Sequence, residues 1–71
     1  MGMPRKGEEI IDVKCTFEYE TDKAWRVTPD GSKYGLWVPK SKAEIDPESP
    51  VRGMTVTITI EPGFAEHIGL V

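Results

Sequence analysis

The sequence predicts a small, mainly β domain (a small α+β chain) built as an antiparallel meander of about four strands with a short C-terminal helix. Three observations carry this. Stretches 10–20 and 54–60 alternate apolar and polar side chains with a period of two, as a strand does when one face is buried and the other wet. Proline and glycine gather between such stretches, where the chain has to turn. After Pro62 the period changes, with Phe64 and Ile68 four residues apart as on one face of a helix.

Taken in order, residues 1–9 (MGMPRKGEE) mix glycine, proline and charge without periodicity and are expected to form a flexible tail, leaving 10–71 as a single domain. In the first strand Ile11, Val13, Cys15, Phe17 and Tyr19 share the apolar face, and Glu18 and Glu20 lie together on the wet one. Thr21-Asp22 reverses the chain. A second strand follows, with Trp25 and Val27 on one side and Ala24, Arg26 and Thr28 on the other. Thr28-Pro29-Asp30-Gly31 fits a type I turn whose glycine takes the left-handed conformation, which closes a hairpin. The third strand places Tyr34, Leu36 and Val38 inward and Trp37 outward, and Pro39, which has no N–H to donate, ends it.

Residues 40–53 read as a long connection. Ser41-x-x-Glu44 matches a capping box, so the sequence allows one helical turn over 42–45 before Asp46-Pro47 stops it, or no turn at all. In the last strand Met54, Val56, Ile58 and Ile60 face inward, with Thr55, Thr57 and Thr59 outward. Pro62 suits the first position of a helix, and Gly69 is placed to end it with Leu70 folding back. A helix this short is unstable alone, so it must pack on the sheet. Strong twist would curl such a sheet toward an SH3-like or OB-like barrel.

A chain of 71 residues sits where one core is marginal. Its single cysteine, Cys15, makes no internal disulfide, and one histidine, His67, builds no four-ligand zinc site, so no metal or cofactor is expected. Net charge is −3, with five basic and seven acidic residues up to residue 32 and four and five beyond it. That balance disfavours a polyanion as the main partner. No apolar run reaches the length of a signal-peptide core or a membrane span, so a cytoplasmic protein is expected.

Catalysis finds little support in the residues. Cys15 alternates in register with Val13 and Phe17 as a buried small hydrophobe, His67 stands beside Glu66 at a helix end, and no glycine-rich phosphate loop appears. The expectation is a binding protein and not an enzyme. Trp37 lies opposite the core face with Arg26 across the hairpin and Lys40 and Lys42 just beyond, a set that stacks a nucleic-acid base or anchors a protein interface. Its commoner fate in a curled sheet is core.

The order KAW…V…DG…WVPKS, then a threonine-rich strand, then EPGFAEHIGLV, resembles a group of small proteins common in bacteriophages and prophages. Their typical form has A(I/L/W), a glycine turn, (V/I)W(I/L)PKSQ and a C-terminal (I/V)PEWLAxxKGL(I/V). The likeness covers residues 21–71, its specific parts being Trp-x-Pro-Lys-Ser and the Gly-Leu-hydrophobic end. Gly63-Phe64 stands where the group has Glu-Trp, and Lys42 where it has Gln. The resemblance implies a small β domain of phage or mobile-element origin and supplies no settled activity.

Three function classes emerge. One is a protein-interaction module of mobile-element origin that inhibits a host defence complex, such as a CRISPR effector, by binding and occlusion, with Glu18 and Glu20 adding acidic character to its surface. The second is a single-strand nucleic-acid binder using Trp37, Arg26, Lys40 and Lys42. The third is a structural homodimer joined through strand edges.

Overall fold

The computed structural model describes residues 9–70. Residues 1–8 of the expected tail lie outside that range. Five strands form one antiparallel sheet: β1 (Ile11–Glu20), β2 (Ala24–Pro29), β3 (Leu36–Pro39), β4 (Ala43–Asp46) and β5 (Thr55–Ile60), in the order β3-β2-β1-β5-β4. Helix α1 (Pro62–Ile68) follows.

β1 is the spine. Its first half pairs with β5, from Ile11 opposite Ile60 to Thr16 opposite Thr55, and its second half pairs with β2, from Cys15 opposite Pro29 to Glu20 opposite Trp25. Alternation then sets the inner face in register: Cys15, Phe17, Trp25, Val27, Val38, Ile45, Val56, Ile58 and Ile60 are buried together, joined by Ala65 and Leu70 from the C-terminal end. Each Val, Leu, Ile or Phe among them, removed from water, contributes roughly 1.5–3 kcal/mol toward folding before ordering costs.

A fifth strand stands where a connection with at most one helical turn was expected. Lys40–Lys42 form a short 3-10 turn with no side-chain cap, and residues 43–46 run as a strand against β5. The capping-box reading fails because Ala43 and Ile45 find a better use: opposite Ile60 and Ile58 they bury apolar surface while Glu44 and Asp46 stay in water. Met54 and Tyr34, both expected inside, are exposed. Each precedes its strand, so the sheet's pleat does not turn it inward.

The connection between β3 and β4 bends the sheet. Four residue steps from Pro39 to Ala43 reach at most about 14 Å, whereas the outer strands of a flat five-stranded sheet lie roughly 19 Å apart. The sheet must therefore curl to bring its edges toward each other, and α1, which follows β5, accordingly packs against β3 on the far edge. The curl stops short of a barrel: β3 and β4 share no ladder and the sheet is open.

Turns follow the glycines. Ser32 N–H donates to Pro29 C=O at 2.9 Å, so this turn closes one residue later than the Thr28–Gly31 reading, with Gly31 at its third position and φ of 82°. At the helix end Gly69 has φ of 85°, Gly69 N–H reaches Glu66 C=O at 3.2 Å and Leu70 N–H reaches Ala65 C=O at 2.8 Å. This is the Schellman pattern, and it seats Leu70 in the core.

Candidate functional site

One irregularity decides the surface. Between Phe17 and Tyr19 the β1–β2 register slips by one residue, so that Tyr19 faces Arg26 and Glu20 faces Trp25. Such a bulge inserts one extra residue and re-aims the side chains beyond it. Simple alternation puts Tyr19 in the core and keeps Glu18 and Glu20 together. The bulge reverses this: Glu18 and Tyr19 share the outer face, and Glu20 turns to the inner rim beside Trp25.

On the outer face Tyr19, Arg26 and Trp37 form one row across three strands. The backbones of Tyr19 and Trp37 are two strand spacings apart, roughly 9.6 Å. Their ring centroids are 5.5 Å apart at 82°, an edge-to-face pair, so the rings lean toward each other across Arg26. The Arg26 guanidinium carbon lies 5.6 Å from the Trp37 ring centroid, within cation–π reach. Trp37 is 40% exposed and Tyr19 51%, so neither ring takes the core fate.

The charges in this row are answered locally. Arg26 Nε is 3.8 Å from Glu18 Oε1, and Glu18 Oε2 accepts a hydrogen bond from the Thr28 hydroxyl. The rest of the outer face is polar: Thr59 Oγ1 donates to Asp12 Oδ1 at 2.7 Å, and Lys14, Thr16, Thr55, Thr57, Glu44 and Asp46 lie on it too. No other large aromatic ring joins the pair on its strands.

The structure brings two of the six sequence-predicted residues, Arg26 and Trp37, into contact, with Glu18 beside Arg26. Lys40 goes elsewhere. Its Nζ lies 2.7 Å from Glu20 Oε2 and 5.8 Å from the Trp25 ring centroid, so this pair of charges caps the other tryptophan, which is buried. Lys42 is exposed on a depression of about 470 Å³ lined also by Ser41, Glu44, Thr59 and Glu61, whose charges are mixed. Tyr19 is the member that sequence reasoning missed, because Phe-Glu-Tyr-Glu continues the alternation unbroken through the bulge.

Cys15 is fully buried, and desolvation, with a smaller contribution from the Asp30 carboxylate, pushes its thiol up to about 11. A thiol held neutral in this way is not a nucleophile at neutral pH. His67 is exposed and tilts against Phe64 with centroids 6.0 Å apart. Among the described residues no three His, Cys, Asp or Glu side chains gather as a metal site, and no helix is long and apolar enough to cross a membrane. The chain matches no protein-family profile, no curated protein and no solved structure.

Proposed function

We propose that this chain is a non-enzymatic protein-interaction module whose contact surface is the Tyr19–Trp37 ring pair with Arg26 beneath it. The carrying observation is that Trp, Tyr and Arg, the residue types that dominate interface energetics, stand in one exposed row that the fold does not need for its core. A protein partner is favoured over a nucleic acid because two of the four basic and aromatic residues predicted to hold a base, Arg26 and Lys40, are engaged by carboxylates, Glu18 and Glu20. A stacked base would bring its phosphates toward Glu18 and Glu20 as well as the two cations they answer. The phage-type resemblance supplies the setting: a mobile-element product acting in the host cytoplasm, binding and occluding a host defence complex.

The test is a pull-down from host lysate, with and without nuclease, using the wild-type chain and Trp37→Ala. The expected result is a protein partner retained after nuclease treatment and weakened about thirtyfold or more by the substitution, the effect of losing a hot-spot tryptophan worth about 2 kcal/mol. Recovery of no protein sinks the reading. Quenching of tryptophan fluorescence by single-stranded oligonucleotides at about 50 mM salt would move the assignment to nucleic acid.

A further inference from the structure

Gly35, just before β3, is a glycine without a backbone reason. The positive φ angles fall at Gly31, Gly53 and Gly69, and Gly35 is not among them. What Gly35 supplies is space. A Cβ there would lie 2.7 Å from Glu18 Oε2, 2.9 Å from Arg26 Nε and 3.3 Å from Thr28 Oγ1. All three belong to the outer face and none to the core. A solvent-side position in a strand region ordinarily welcomes a side chain, since glycine there only weakens the strand. The bare Cα is therefore spent on letting a carboxylate, a guanidinium and a hydroxyl lie flat on one spot.

We propose that Gly35 and Glu18 are positioning residues of the contact surface. Glu18 settles into the space left by the missing Cβ, takes the Thr28 hydroxyl on one oxygen and faces Arg26 Nε with the other. Arg26 is thereby held against the Trp37 ring, over which Tyr19 leans edge-on. The bulge and the glycine are complementary halves of this device, because the slip in register brings Tyr19 onto the outer face that Glu18 already occupies. The result is a preorganised, electrically neutral aromatic platform, suited to an uncharged apolar segment of a protein and needing little ordering on contact.

The binding arm of the test rests on the reading of Trp37 as a contact residue; the spectroscopic arm does not. In the isotope-labelled full chain, the Arg26 Nε–H and Trp37 indole N–H resonances report the frame directly. Gly35→Ala is expected to melt within about 3 °C of wild type, since its clash is with mobile side-chain ends and its backbone is compatible with alanine. It should displace both resonances and weaken the protein partner captured through Trp37 at least fivefold. Glu18→Ala should displace the same two resonances, because it removes the carboxylate that faces Arg26 Nε. A folded Gly35→Ala with both resonances unmoved overturns the proposal, as does a folded Glu18→Ala that leaves them unmoved. If Gly35→Ala does not fold, Thr28→Val and Glu18→Ala carry the same readouts: displaced resonances support the frame and unmoved ones refute it. Loss of the frame with partner binding intact would leave the positioning role standing and refute the contact surface.

Discussion

Two tryptophans stand on neighbouring rows of one ladder and meet opposite ends. Trp25 faces Val38 and is 7% exposed, whereas Trp37 faces Arg26 on the solvent side. Truncation to alanine should separate them in urea melts: Trp25→Ala should cost about 3–5 kcal/mol, and Trp37→Ala about 1 kcal/mol or less. Equal losses would mean that Trp37 belongs to the core after all. Cys15 offers a second residue-level check. Its folded-state thiol is raised from the ordinary 9.0 to about 11, so the native state holds a proton that the unfolded chain releases. The associated stability is present below pH 9.0 and is lost as pH rises toward about 11, a fall of roughly 3 kcal/mol from two units at about 1.4 kcal/mol each. Chemical denaturation across that window should show a steeper decline in the wild type than in Cys15→Ala, and parallel curves would refute the burial argument. The same native thiol should resist alkylation at pH 8 until the chain is unfolded.

At the scale of elements, the helix is the one that depends most on its ends. Its seven residues cannot hold themselves together in water, so it persists through Ala65 and Leu70 in the core and through the left-handed Gly69 that turns Leu70 inward. Gly69→Ala should cost about 1 kcal/mol through strain at positive φ, and Leu70→Ala about 2–4 kcal/mol through lost burial, both read from thermal melts. Alternation made β2, β3 and β5, and most of β1, legible in advance. It failed at Tyr19, since a bulge is chosen by pairing with β2 and leaves no mark in a sequence that goes on alternating. It also passed over β4, where Ala43-Glu44-Ile45-Asp46 alternates for only four residues and competes with a capping-box pattern. Burial opposite Ile60 and Ile58 breaks that tie, and those partners lie far along the chain, beyond a turn at Gly53.

For the whole molecule, the open curl leaves β3 and β4 as free edges, and both are blunted. β3 is four residues long and ends in Pro39; β4 carries Glu44 and Asp46 and stops before Pro47. Short, charged, proline-ended edges resist pairing with a second copy. Sedimentation at two widely separated concentrations should therefore give one monomeric species, and a shift toward the mass of two chains would revive the homodimer. Hydrogen exchange should be slowest at residues 25–27 of β2 and 57–60 of β5, which are laddered on both sides, and faster in β3 and β4, which are laddered on one.

The sequence by itself determined the mainly β class of fold, the turns at Gly31 and Gly69, the inward set of Val27, Val38, Val56, Ile58 and Ile60, and the placing of Trp37 on the face opposite Leu36 and Val38, but not its exposure. These are local consequences of period, proline and glycine. Tertiary structure alone decided that β4 is a strand, that the sheet curls without closing, and that the partners of Trp37 are Tyr19 and Arg26 while Lys40 guards Trp25. Each of these depends on which strand lies beside which. A pairing between distant residues, and the one-residue slip within it, is set by the total burial it achieves, and no short stretch of the chain contains that sum.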